Sequence, residues 1–311
     1  MNDDSGAPAI ASPPASRQQA VTIAGSASAW QLAVELPVEI DVNGEPIAVM
    51  LATPADLEEL ALGFLHTEHV LHEPELAQAD APPIDVTVDV QLDGIVVDVR
   101  VPVARVNGHA RTLRRLEGRT GCGLCGIESL AALRRRGLRT GATANASPDD
   151  AALMRAFAAL PGQQRLNQTT HSVHAAAWCA VDGALLVVRE DVGRHNALDK
   201  LVGARLRSEV GHRASPAEQG FVVMTSRLSY ELVYKAHALG ATCLATISAP
   251  TSLALDTARQ LGLELACLAP SVGDGAPCIA RFPSLSRAVA SPPLSGAEAC
   301  EQARAQGQER C

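Results

Sequence analysis

The sequence predicts an α/β protein, with a mostly parallel sheet flanked by helices over residues 111–290 and a smaller α+β unit over residues 21–110. Beyond residue 173, short apolar runs alternate with segments of helical period that stop at glycine, as strands and crossover helices of one sheet do. Ahead of residue 102, two stretches of polar–apolar alternation fold back at Asn43-Gly44 and Asp93-Gly94, the turn chemistry of β-hairpins. Composition agrees. A chain of 311 residues with 47% hydrophobic content buries one large core or two modest ones, and 3% aromatics leave Ala, Val and Leu to build it.

Taken in order, residues 1–20 are Ala, Ser, Pro, Asp and Gln with little periodicity, and are expected to be a disordered tail. Residues 34–51 form the first hairpin. Thr53-Pro54-Ala55-Asp56 then reads as a helix start, with Thr53 as the cap and Pro54 at the first helical position. The helix carries Leu57, Leu60, Ala61, Phe64 and Leu65 on one face; His66, Glu68, His69 and His72 crowd its end, where two histidines three apart could ligate a metal but a solvated end is expected. Residues 84–101 form the second hairpin. A helix is expected over 127–136, closing on Arg134, Arg135 and Arg136, where the helix dipole favours cations, and another over about 149–160. Strands follow over 173–179 and 184–188, joined at Asp182-Gly183. Next come a helix over 196–206, a strand over 220–225, a helix over 230–239 and a strand over 243–247. A helix over 252–261 and a last strand over 263–268 complete the pattern, and residues 291–311 return to tail-like composition.

The formal net charge is −8, and no basic block is long enough to grip nucleic acid. No apolar run approaches the length of a membrane span, and the start lacks a basic-then-apolar signal. Eight scattered cysteines, several inside apolar runs, do not form a secreted disulfide framework, so a reducing cytoplasm is expected.

Chemistry concentrates first in Gly121-Cys122-Gly123-Leu124-Cys125-Gly126. Glycine around both thiols lets a partner approach closely, and the free N–H groups of a following helix would favour a thiolate. A reactive thiol, half of a zinc site and a bland loop all fit this spacing; zinc normally needs a second such pair, and the chain has none. Polar segments also follow the predicted strands. Glu190 to Lys200 packs Arg194, His195, Asn196 and several carboxylates behind an apolar run, around a turn at Gly193 that suits a phosphate or a polar heterocycle. Thr225-Ser226-Arg227-Leu228-Ser229 and Ser248-Ala249-Pro250-Thr251-Ser252 place hydroxyls at strand-to-helix junctions, where they either receive an anion or cap the helix. His174 suits a core histidine or a ligand equally. Lys200 and Lys235 are the only lysines among 26 basic residues, which suggests a need for a compact ammonium there; Glu231 four residues before Lys235 offers a plain helix pair instead.

Together these segments resemble one family. Cys122-Gly-Leu-Cys-Gly, Arg189-Glu-Asp-Val-Gly-Arg-His-Asn-Ala-Leu-Asp-Lys, Ser229-Tyr-Glu-Leu-Val-Tyr-Lys-Ala and Ser248-Ala-Pro-Thr-Ser-Leu-Ala are similar to the formate dehydrogenase accessory sulfurtransferases, the FdhD family. Val42-Asn-Gly-Glu-Pro and Glu59-Leu-Ala-Leu-Gly-Phe-Leu resemble its N-terminal region, so the likeness covers about residues 35–268. The resemblance implies a cytidine-deaminase-like three-layer α/β/α core and a homodimer. It implies a sulfur carrier that receives persulfide sulfur from a cysteine desulfurase. The recipient is the molybdenum cofactor in its molybdopterin guanine dinucleotide form, before insertion into the formate dehydrogenase catalytic subunit. Cys122 matches the persulfide position and Cys125 its auxiliary neighbour. The positions expected to hold the cofactor and its guanine nucleotide are Arg194, His195, Asn196, Lys200, Ser226, Arg227, Ser229, Thr251 and Ser252, then the turn Leu268, Ala269, Pro270, Ser271, Val272 and Gly273. No permanent metal is expected.

Two departures stand out. Thr170-His171-Ser172 replaces the family's Thr-Gly-Gly, and the turn at 268–273 lacks the family's cation. A zinc nucleoside or base deaminase is the competing function, with His66-Thr67-Glu68 at His-x-Glu spacing, although Gly121 replaces the proline that chemistry places before its cysteine pair. A scaffold for formate dehydrogenase maturation, active without either thiol, is a third.

Overall fold

The computed structural model describes residues 12–71, 84–107, 147–211, 219–270 and 277–282. The cysteine loop at 121–126 and the helix expected over 127–136 lie outside them, as does the tail expected over 291–311.

The N-terminal hairpins form as their turns predict. Strands β3 (Leu36–Val42) and β4 (Glu45–Ala52) meet at Asn43-Gly44, both with positive φ, and β5 (Asp85–Val90) pairs antiparallel with β6 (Ile95–Arg100). Parallel pairing of β3 with β6 joins the hairpins into a four-stranded sheet of order β4-β3-β6-β5. Val38, Ile40, Ile95, Val97 and Val99 alternate onto the face covered by helix α1 (Leu57–Thr67). An additional hairpin precedes them: β1 (Ser16–Ile23) and β2 (Ser26–Ala33) turn at Ala24-Gly25, with φ of 48° and 83°. The tail expected over residues 1–20 therefore gives way to a strand at Ser16. Alanine in a left-handed turn carries no sequence signal, whereas Asn43-Gly44 does.

The C-terminal unit is built on a six-stranded sheet of order β12-β11-β10-β9-β7-β8. Its strands are β7 (His174–Ala180), β8 (Leu185–Asp191), β9 (Gly220–Met224), β10 (Cys243–Thr246), β11 (Glu264–Ala269) and β12 (Cys278–Phe282). Parallel pairing joins β9, β10 and β11; β7 is antiparallel to both its neighbours, so β8 points the same way as β9, and β12 is antiparallel to β11. The sheet is mixed, not mostly parallel, because a hairpin at Asp182-Gly183 opens it and a strand beyond the expected last one closes it. Helix α2 (Asp150–Gln163) covers one face through Leu153, Ala156, Phe157 and Leu160. The other face carries α4 (Arg194–Gly211), α5 (Tyr230–Ala238) and α6 (Ser252–Leu261), packed on Trp178, Val222, Met224, Leu244 and Leu265. The short helix α3 (Asn167–Thr170) leads into β7 and ends on His171 with φ of 53°. That left-handed position explains why the related motif writes glycine here. In this chain the His171 ring packs against Trp30 of β2, centroids 5.7 Å apart.

The two units share α1. It is buried nearly all round because one side packs on the small sheet and the other crosses α4. The crossing is backbone to backbone. A Cβ on Gly63 would meet the carbonyl oxygen of Asp199 at 1.8 Å, and one on Gly203 that of Glu59 at 1.9 Å, so both positions require glycine. Thr53 is not the cap of α1. Asp56, at φ of 53°, precedes the helix, and Thr53 is buried with its polar groups engaged elsewhere. The end of α1 is not solvated as expected: His66 and Thr67 are buried, and Glu68 pairs with Lys235. His72 lies outside the described residues.

Candidate functional site

Strands β8, β9, β10 and β11 all end at one edge of the six-stranded sheet, and β7 begins there, His174 opposite Asp191 and Thr246 opposite both Met224 and Cys267. In a sheet of this kind ligands collect at that edge. Most of the predicted site residues converge on it. Thr225 N–H donates to the Ala175 carbonyl at 3.1 Å, and its hydroxyl accepts from Ala175 N–H at 2.9 Å, which extends the β7–β9 ladder into the loop. Arg227 beyond it is exposed, whereas the buried Ser226 hydroxyl donates to the Arg227 carbonyl at 3.1 Å. The next loop lies alongside through Thr251 N–H to the Leu228 carbonyl at 3.1 Å. Thr251 caps α6, its hydroxyl accepting from Ala254 N–H at 3.3 Å, and Ser252 opens that helix, exposed. Leu268 and Ala269 finish β11 and Pro270 follows at the same edge; Ser271, Val272 and Gly273 lie outside the described residues.

Arg194 and His195 begin α4 at this edge, beside His174. Burial lowers the His174 imidazole pKa, and the neighbouring Arg194 and His195 lower it further, so it favours the neutral form. His195 Nε2 stands 3.7 Å from Glu231 Oε2. Burial pushes the Glu231 carboxyl up, but hydrogen bonding to His195, to its own backbone and to Ser229 outweighs this and holds it below the ordinary range. The edge thus presents two imidazoles, one of them backed by the buried Glu231 carboxylate, with two guanidiniums and hydroxyl-bearing helix starts. Such a set suits an anionic ligand with a polar ring.

Two predicted cofactor residues are elsewhere. Lys200 is fully buried, 2.6 Å from Asp191 Oδ2, and donates to the Thr53 carbonyl at 3.0 Å. Asn196 is also buried, donating to Asp191 Oδ1 at 3.0 Å and to the Leu51 carbonyl at 2.8 Å. Both bolt the N-terminal unit to the C-terminal one and are withdrawn from cofactor contact, because their amine and amide are already saturated by Asp191 and backbone. Lys235 repeats the arrangement. Its Nζ bonds Asp199 at 2.8 and 2.9 Å and Thr67 at 2.9 Å, while Thr67 donates to Asp199 at 2.7 Å. The two lysines of the chain therefore each complete an Asp–Lys–Thr cluster, with the aspartate from one unit and the threonine from the other. The expected need for a compact ammonium is met, and the Glu231–Lys235 helix pair does not form the contact.

Arg189 donates to Glu59 Oε1 at 2.8 Å, and Glu190 accepts from the N–H groups of Leu166 and Asn167, each at 2.8 Å, so these motif residues also serve the scaffold. A cavity of about 430 Å³ beside β8, lined by Asp56, Arg165, Leu166, Arg189 and Glu190, contains none of the predicted site residues. His66-Thr67-Glu68 is spent on the scaffold as well: His66 Nε2 meets the Ala238 carbonyl at 3.2 Å, and Thr67 and Glu68 hold Lys235. The deaminase reading is not favoured. Among the described cysteines, burial pushes Cys179 up to about 12 and raises Cys243 and Cys267, which leaves them poor nucleophiles at neutral pH. Cys122 and Cys125 lie outside the described residues. No described helix is long and apolar enough to cross a membrane.

The sequence profile of the FdhD/NarQ family matches residues 33–272. The chain is 46% identical over 246 residues to the sulfur carrier protein FdhD of Chromobacterium violaceum, covering 78% of this chain and 86% of that one. It is 43% identical over 234 residues to the sulfur carrier protein FdhD of Xanthomonas campestris pv. campestris strain B100, covering 75% and 79%. A solved structure from Desulfotalea psychrophila, described as a formate dehydrogenase accessory protein, superposes with a TM-score of 0.58 at 22% identity, over 88% of this chain and 98% of that one.

Proposed function

This chain belongs to the FdhD/NarQ family, and from that membership we propose that it carries sulfur for formate dehydrogenase, as a persulfide on Cys122. A cysteine desulfurase presents a persulfide, the Cys122 thiolate attacks its terminal sulfur, one S–S bond forms as another breaks, and the desulfurase leaves as thiolate. Cys125 is auxiliary. The recipient is the molybdenum cofactor in its guanine dinucleotide form, held at the sheet edge before insertion into the formate dehydrogenase catalytic subunit. The reading includes a homodimer, a cytoplasmic location and a cytidine-deaminase-like layering of the core.

One observation carries the nucleotide part: Arg194, His195, Arg227, Ser229, Thr251 and Pro270, distant in sequence, meet at one sheet edge together with three helix starts. Guanidiniums and helix N–H groups recognise phosphate, while the buried Glu231 acts behind the edge by holding His195. Calorimetry with GDP tests it. The parent protein should bind, and Arg227→Ala should weaken binding by about tenfold, the loss of one charged hydrogen bond. Unchanged affinity in the mutant would remove Arg227 from the site, and absence of binding to the parent would remove the nucleotide.

A further inference from the structure

We propose that Thr53, on the N-terminal unit, is a positioning residue that sets the orientation of Arg194 and His195 by clamping the turn before α4. The inference rests on the nucleotide reading only for what those side chains contact; the clamp itself is a matter of geometry.

Thr53 is fully buried, and each of its polar groups reaches the other unit. Its N–H donates to Asp191 Oδ2 at 3.0 Å, its hydroxyl accepts from Val192 N–H at 3.2 Å, and its carbonyl accepts from Lys200 Nζ at 3.0 Å. The remaining carbonyl capacity takes Ala55 N–H at 2.8 Å. Asp191 is loaded just as fully. Its Oδ1 accepts Gly193 N–H at 2.8 Å and Asn196 Nδ2 at 3.0 Å, and its Oδ2 takes Thr53 and Lys200. Three amides around the turn that aims the helix are thereby held: Val192 by Thr53, Gly193 by Asp191, and Ala197 by the Gly193 carbonyl at 2.9 Å.

Arg194 and His195 follow this turn directly, so a rotation of the Val192 peptide swings both side chains. Among the described residues of the N-terminal unit, the Thr53 hydroxyl is the group that holds the Val192 amide itself; the Thr53 N–H and carbonyl act on Asp191 and Lys200, and the Leu51 carbonyl holds Asn196 further on. A site held to within about 0.5 Å needs such support behind the residues that touch the ligand.

Thr53→Val keeps shape, N–H and carbonyl and removes only the acceptor for Val192; Thr53→Ser restores it. In the full-length protein two readouts are taken on both variants: GDP affinity by calorimetry, and the imidazole NMR signals of His195, assigned with His195→Asn. In Thr53→Val the His195 signals should move while those of His171, held by Trp30, stay. GDP affinity should fall by up to about tenfold, because binding must then order a turn that the hydrogen bond had already fixed. Thr53→Ser should return both towards the parent. His195 signals unchanged in a folded Thr53→Val protein, or a change that serine fails to reverse, would overturn the proposal. If the parent itself fails to bind GDP, the nucleotide reading falls and the imidazole signals alone decide the clamp.

Discussion

Lys200→Met should lower stability by about 3–5 kcal/mol, because it leaves the buried carboxylate of Asp191 without its counter-charge. The ammonium and that carboxylate are both excluded from solvent and 2.6 Å apart. Methionine fills the volume but returns no donor to Asp191 Oδ2 or to the Thr53 carbonyl. Lys200→Arg should not rescue, since a forked guanidinium has no room where the ammonium makes close contacts with Asp191 and Thr53. Lys200→Met combined with Asp191→Asn should recover part of the loss, because the uncompensated charge is then gone. Urea denaturation monitored by circular dichroism measures all three. A loss below about 1 kcal/mol, in the range of an exposed ion pair, would return Lys200 to the role of a surface ligand-binding residue.

The second large effect is on activity. In cells carrying the variant as the only copy, Cys122→Ala should yield inactive formate dehydrogenase, whereas Cys125→Ala should keep a substantial part of the activity. A persulfide carrier needs one nucleophilic thiol, while a redox dithiol needs a second to resolve the mixed disulfide. The described core cysteines cannot substitute, since burial keeps Cys179, Cys243 and Cys267 protonated. If a helix follows Cys122, its free N–H groups favour that thiolate, and Cys125 falls within the first turn with less freedom to reach a partner. Equal and complete loss in both variants would point to a dithiol or metal mechanism. Activity surviving loss of both would leave the protein a scaffold.

Local chemistry made much of the fold legible. Asn43-Gly44 and Asp93-Gly94 announced their hairpins, and Gly240 and Gly262 marked helix ends with their positive φ. Strand direction was not legible, because hydrophobic period is the same for parallel and antiparallel neighbours; the reversed strands β7 and β12 therefore changed the sheet from parallel to mixed. In the site, residue type located the polar segments but not which way each side chain faces. Glu190, Asp191, Asn196, Asp199 and Lys200 read as one binding cluster with Arg194 and His195, yet Asp191, Asn196, Asp199 and Lys200 turn inward to hold the two units together, and Glu190 binds the Leu166 and Asn167 amides within its own unit. Their partners Leu51, Thr53 and Thr67 lie far away in sequence, and Thr53 imitated a helix cap. The rarity of lysine was the one signal that could have exposed the bolts. It marked both of them, without saying what they hold.

The most direct test of the carrier role is the intact mass of the full-length protein after incubation with a cysteine desulfurase and cysteine, followed by peptide mapping. A persulfide adds about 32 Da. The addition should map to Cys122, disappear on reduction with dithiothreitol, persist in Cys125→Ala and be absent from Cys122→Ala. No addition under conditions where the desulfurase turns over, or an addition confined to another cysteine such as the exposed Cys278, would contradict a Cys122 persulfide carrier.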